Sequence, residues 1–211
     1  MHTEAILTLA QWLSPAYPVG AFAYSHGLEW VIEAGQVTDC ASLEGWLETV
    51  LRHGAGRSDA LFFVAAYQAD DPGGVDAMAR AYSASAERLK ETVLQGEAFV
   101  RATSDIWHHD LPSLTYPVAV GRAARLEGLP LNLALSMYLQ AVMSNLVAAG
   151  MRLIPLGQTE GQGIIRAQTP VCVEIAQSAL HGSLDDLSST AFMADIASMK
   201  HEIQYSRIFR T

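Results

Sequence analysis

Apolar residues recur at helical spacing along almost the whole chain, and the strict alternation of a half-buried strand is scarce. Ile6, Leu9, Trp12 and Leu13 mark one face of a first helix, which Ser14-Pro15 ends because the residue before proline is pushed out of helical geometry. A second helix is predicted over 24–34, closed by Gly35. A third covers 42–53, with Leu43, Trp46, Leu47, Val50 and Leu51 on one side. Ser58 or Asp59 is placed to cap a fourth, running to about residue 69.

The run "DDPGG" at 70–74 is the clearest turn. Beyond it lies a long helical region over 76–108 with a break near Gly96, then a helix over 114–126 ended by Gly128. Pro130 suits the first turn of a helix that buries Leu131, Leu135, Tyr138, Leu139, Val142 and Leu146 and stops near Gly150. "GQTEGQG" reads as a tight turn or a helix start, and "PVCVEIAQSALHG" opens on another first-turn proline. After the polar connector "GSLDDLSST" the pattern weakens, since Ile203, Tyr205, Ile208 and Phe209 follow no single face. The expected architecture is all-α: one helical bundle of roughly eight to ten helices with a C-terminal tail, divided as 1–196 and 197–211.

Length and composition sharpen this picture. The 211 residues fit one domain, and an apolar share of 50% is enough for a core. A net charge of −9 argues against nucleic acid and anionic membrane as partners. Cys40 and Cys172 lie far apart and form no Cys-x-x-Cys pair, which reads as two buried thiols in a reducing cytoplasm. The N-terminal apolar run has Glu4 before it, Gln11 within it and no lysine or arginine ahead, unlike a signal peptide. No run reaches about 18 uninterrupted apolar residues; the most apolar stretch carries Asn132, Ser136, Gln140, Ser144 and Asn145. The expectation is a cytoplasmic protein.

Catalytic constellations are missing from the pattern. Neither Lys90 nor Lys200 follows a glycine, which rules out a phosphate-binding P-loop. "HEIQY" at 201–205 lacks the second histidine of a zinc-protease helix. His108, His109 and Asp110 are the densest group of metal-type ligands, but adjacent residues point to different sides of a helix. Ser25-His26 is no nucleophile–base pair by adjacency alone, and no Gly-x-Ser-x-Gly elbow exists. Paired carboxylates acting across space stay open. Binding features remain: Tyr17, Phe22, Tyr24 and Trp30 crowd a Pro/Gly loop, Glu29 and Glu33 share a helix face, and Tyr205, Arg207, Phe209 and Arg210 give the tail the aromatic–arginine mix of binding hot spots. Core packing accounts for the N-terminal rings equally well. It accounts less well for the tail, because chain ends are usually loose unless docked.

Three long blocks resemble the signature blocks of the UreF family of urease accessory proteins: "LSPAYPVGAFAYSHGLEWVIEAG" at 13–35, "RLIPLGQTEGQ" at 152–162 and "IASMKHEIQYSRIFRT" at 196–211. Their order and spacing match, and "SAERLKET" at 85–92 adds a shorter match. The family often carries lysine where Arg152 stands and arginine where Lys200 stands, exchanges that keep charge but not donor geometry. The resemblance implies an all-α cytoplasmic homodimer without enzymatic activity or permanently bound cofactor. It implies a scaffold that binds UreD (also called UreH) and the GTPase UreG, docks on apo-urease and assists nickel insertion. It further implies that Ser25, His26 and Glu29 line a path for nickel in transit. His201, Glu202, Gln204, Tyr205, Ser206, Arg207, Phe209 and Arg210 are implied to contact UreD, and Gln158, Thr159 and Glu160 the GTPase. The alternative is a GTPase-activating protein in which Arg152 serves as an arginine finger.

Overall fold

The computed structural model describes residues 2–211, and among them there are ten α-helices, two short 3-10 turns and no strand. The helices are α1 (His2–Trp12), α2 (Leu28–Glu33), α3 (Cys40–His53), α4 (Ala55–Gln68), α5 (Gly73–Ala81), α6 (Ala86–Trp107), α7 (Tyr116–Leu126), α8 (Leu131–Leu153), α9 (Gln158–Ala179) and α10 (Phe192–His201). The all-α bundle expected from the pattern is the fold observed.

Capping chemistry sets several boundaries. Asp39 accepts from Ser42 N at 2.9 Å while Ser42 Oγ takes the Asp39 N–H, so α3 begins two residues before the apolar pattern does. Helix α4 starts directly after Gly54 rather than at Ser58 or Asp59, and both of those side chains are buried inside it. The expected break at Gly96 is also displaced: α5 and α6 are separated at 82–85, where Ser85 caps α6 by accepting from Arg88 N. Gly96 lies inside α6 for a packing reason. A Cβ there would stand 2.0 Å from the Leu114 carbonyl oxygen, so only glycine lets the segment entering α7 touch the α6 backbone. Pro170 does not begin a helix; α9 runs through it, and its ring faces outward. Helix α2 is shorter than expected because His26 and Gly27 both adopt left-handed backbone (φ 58° and 77°) and reset the chain just before it.

Helices α4 and α7 pack against each other at the centre, and α8 and α9 form a long hairpin beside them. A chain of aromatic rings links the layers. Trp12 meets Phe99 edge-on at 5.4 Å and Trp107 at 5.3 Å, Phe99 meets Tyr116 at 6.0 Å, and Tyr116 meets Tyr138 at 5.5 Å. On α1 the buried face is Ala5, Leu9 and Trp12, whereas Ile6 is exposed. Helix α8 has the length and hydropathy of a membrane span, yet half of its apolar window is buried in the bundle. Tyr17 and Val19 from the N-terminal loop and Phe209 from the tail belong to the same core. Residue 197 falls inside α10, and residues 202–211, beyond that helix, fold back onto the body rather than trailing away.

Candidate functional site

The first sequence block, the start of α6 and the last ten residues converge in one polar cluster. The convergence begins at Gly27, where a Cβ would come within 2.7 Å of Ser198 N; α10 thus packs directly on this backbone. Glu29, buried on α2, then receives the returning chain. Its Oε1 accepts Ile208 N–H at 2.6 Å and its Oε2 accepts Phe209 N–H at 2.9 Å. Ser25 N and Ser25 Oγ both donate to the Thr211 carbonyl, at 2.6 and 2.9 Å, and Arg210 N donates to Ala23 O at 2.9 Å. Backbone groups of a chain end that would otherwise be solvated are therefore satisfied by side chains and loop backbone of the N-terminal block.

His201 carries the contact onward. Its fully buried ring faces Glu29 Oε2 through Nε2 (3.2 Å) and Glu87 Oε2 through Nδ1 (2.7 Å). Glu87 also accepts from Arg207 Nη1 at 2.5 Å, and Gln204 bonds to Glu33. Glu202 accepts the Ala86 N–H at 2.9 Å, adding an acidic group to the α6 N-terminus, where the helix dipole favours it. Phe209 of the tail packs under a guanidinium. It is 4% exposed, with the Arg152 guanidinium 4.4 Å from its centroid, and Arg152 Nη2 donates to Phe22 O at 2.8 Å.

Beneath the tail lies a buried charge network. Thr211 Oγ1 donates to Glu91 at 3.2 Å, His26 Nδ1 stands 3.6 Å from Glu91, and Arg88 bridges Asp59 (2.8 Å) and Glu91 (3.5 Å). Tyr138 OH donates to Asp59 at 3.1 Å. Burial alone would raise the Glu91 carboxyl, but Arg88, His26 and the Thr211 hydroxyl outweigh it and hold the group at about 2. The Tyr138 hydroxyl is pushed well up by burial and by the neighbouring Asp59 carboxylate. Two cavities, of about 350 and 60 Å³, meet at this network; His26, Asp59 and Arg88 line both.

The residues singled out in the sequence thus occupy different situations. Ser25, Glu29, His201 and Phe209, assigned to two separate roles, form one internal joint, and neither Ser25 nor Glu29 lines either cavity. His26 does line them. Tyr205, Ser206, Arg207 and Arg210 face solvent, while Glu202 and Gln204 are half-buried. Gln158, Thr159 and Glu160 are exposed in the first turn of α9, where Glu160 accepts Gly157 N–H at 2.7 Å. Tyr17 and Tyr24 are core residues, and Phe22 is exposed. His109 pairs with Glu127 at 2.5 Å, His108 ends α6 in left-handed geometry, and no cluster of three or more metal-type ligands occurs among the described residues. Asp59 stood out in the sequence only as a candidate cap, and Glu87, Arg88 and Glu91 had no role assigned; the one signal of these three is the polar spacing of "SAERLKET", where Glu87 and Glu91 lie one turn apart with Arg88 between.

Outward, the joint presents apolar side chains. Ile203, Tyr205 and Ile208 are 81%, 105% and 73% exposed, and Phe192, Ile196 and Met199 on α10 are also open. Chemically, the arrangement holds a peptide segment and displays a surface.

A family model described as UreF matches residues 37–199. The chain is 60% identical over 211 residues to a urease accessory protein UreF of Ruegeria pomeroyi, covering 99% of this chain and 97% of that protein. It is 57% identical to the protein of the same description from a Ruegeria species over 214 residues (100% of each), and 52% identical over 213 residues to that of Roseobacter denitrificans, covering 100% and 96%.

Proposed function

The chain belongs to the UreF family of urease accessory proteins, and from that premise we propose that it is a non-catalytic scaffold of urease maturation that binds UreD through its docked C-terminal segment. The observation that carries this reading is the two-sidedness of residues 202–211. The inner side is bonded to Glu29, Ser25 and Ala23, and the outer side leaves Ile203, Tyr205 and Ile208 open. Large apolar residues displayed on a rigid mount have the form of a hot-spot surface.

In this proposal the scaffold works in the cytoplasm as a homodimer. It brings the GTPase UreG to the exposed α9 start at Gln158, Thr159 and Glu160, and the assembly docks on apo-urease. Nickel is cargo. The route proposed for it runs through the two cavities that meet at His26, Asp59 and Arg88, with imidazole and carboxylate donors suited to a divalent first-row ion. Ser25 and Glu29 support that route from behind by anchoring the tail.

Co-purification tests the scaffold. The chain co-expressed with UreD should elute as a complex, and Ile203→Asp with Tyr205→Ser should remove UreD without lowering helix content by circular dichroism. UreD retained by the double variant sinks the tail assignment. For Arg152 as an arginine finger the geometry is unfavourable, because its guanidinium donates to the Phe22 and Ala148 carbonyls and stacks on Phe209.

A further inference from the structure

A further cleft, lined by none of the residues of the tail joint, holds two arginines and two histidines beside two carboxylates. It encloses about 530 Å³ where the end of α3, the first turn of α4, the C-terminal half of α9 and the 180–186 connector converge. Arg52, His53, Arg57 and His181 line it, over a floor that includes Leu61 and Ile175. The volume lies in the range of small-molecule sites, roughly 300–1,000 Å³.

Arg57 is the best-defined group. Its Nη1 donates to the Asp186 carbonyl at 2.7 Å and to Ser188 Oγ at 3.1 Å, both neutral acceptors. Among the described residues no carboxylate lies within 4.0 Å of it, and its Nε and Nη2 have no protein partner. The guanidinium is therefore held in place from one side with a donor pair to spare, the fork that suits an oxyanion. The rings of His53 and His181 likewise have no hydrogen-bond partner in the protein. His53 is fixed through its backbone, since its carbonyl accepts from Thr190 N (2.9 Å) and Ala191 N (3.2 Å). The two carboxylates on the walls already have partners: Glu174 pairs within the cleft with Arg52 at 2.9 Å, an arginine that Glu48 also holds at 2.8 Å, and Asp186 accepts from Ser183 N at 2.8 Å.

We infer that this cleft binds a phosphoryl-bearing small molecule, with the phosphoryl oxygens on Arg57, His53 and His181 and an apolar body over Leu61 and Ile175. The inference is independent of the scaffold reading.

Calorimetric titration of the whole chain with phenyl phosphate, inorganic phosphate and benzoate tests it. Phenyl phosphate should bind saturably at one site per chain. Arg57→Gln and His181→Gln should each weaken it about tenfold or more, the effect of losing a charge-assisted hydrogen bond, while Arg101→Gln, on the exposed face of α6, should leave it unchanged. Should Arg57→Gln unfold the connector, His181→Gln decides, since that residue is exposed and its ring has no hydrogen-bond partner among the described residues. Inorganic phosphate binding as tightly as phenyl phosphate assigns free phosphate as the source of the phosphoryl group, and weaker binding assigns an ester. No saturable heat up to about 10 mM phenyl phosphate, ten times the weak millimolar regime, overturns the site. So does unchanged binding in both cleft variants, and benzoate binding as tightly as phenyl phosphate overturns the phosphoryl assignment.

Discussion

Glu29 and Phe209 stand 180 residues apart, and the carboxylate of the first accepts the backbone N–H of the second at 2.9 Å. The same carboxylate takes the Ile208 N–H at 2.6 Å. A single side chain on a two-turn helix thus receives two consecutive backbone amides of the returning segment. Replacing it by glutamine turns one acceptor oxygen into an NH₂ that faces a donor, and an unsatisfied buried donor costs about 1–3 kcal/mol. Glu29→Gln should therefore speed hydrogen exchange at the Ile208 and Phe209 amides and leave the α4 and α7 amides protected. Equal protection of the tail in both proteins would show that packing of Phe209, not the carboxylate, holds it.

Acid should weaken the joint through Glu91. Its folded-state value, about 2, is below the unfolded carboxyl range of about 4.3. A depressed carboxyl contributes stability that is complete above the unfolded value and is lost as pH falls toward the folded one. The window is thus from about pH 4.3 down to about pH 2, with an upper limit of about 3 kcal/mol. Urea unfolding of the native protein and Glu91→Gln at pH 7, 5, 4 and 3 measures it. The native advantage should hold from pH 7 to 5 and shrink from 4 to 3; an advantage constant over the whole range contradicts the buried network.

Gly96 is a steric prediction. A Cβ at this point would meet Leu114 O at 2.0 Å and Tyr116 N at 2.8 Å, and both are backbone atoms that cannot rotate away. Gly96→Ala improves helix propensity by about 1 kcal/mol but forces α6 from the segment entering α7, an overpacking cost of about 1–3 kcal/mol or more. The variant should melt below the native protein. An equal or higher melting temperature means that the two segments separate without penalty.

The fold was legible because most helices carry a clear apolar face, as in Leu43, Leu47, Val50 and Leu51 on α3. Boundaries were less legible where tertiary contact overrides local signals. Gly96 looks like a breaker but is a contact point, Pro170 looks like a start but rides an exposed side of α9, and Asp59 looks like a cap but is the partner of Arg88 across 29 residues. The tail was the hardest case. Its apolar residues follow no single face because they divide between two environments, Phe209 inward and Ile203, Tyr205 and Ile208 outward, and no periodicity encodes a segment bonded through its backbone. Ser25, Glu29 and His201 were visible as noteworthy residues; that they form one joint depends on spacing in space.

Arg152 separates two mechanisms by experiment. Its guanidinium covers Phe209 at 4.4 Å and donates to Phe22 O, so it clasps the tail to the first sequence block. Removing the clasp by Arg152→Ala should raise hydrogen exchange in residues 208–211 and lower the yield of UreD complex. Arg152→Lys should restore part of both, since an ammonium keeps the cation–π attraction but loses the planar fork that reaches two carbonyls. GTP hydrolysis by UreG, measured per assembled complex, should not change in either variant. An arginine finger makes the opposite forecast: hydrolysis falls by a factor of roughly 10³ or more in both variants, while tail exchange and UreD yield stay native. The two sets of outcomes share no member, so one preparation of each variant, assayed for exchange, complex yield and hydrolysis, decides whether Arg152 holds the scaffold together or acts on the nucleotide.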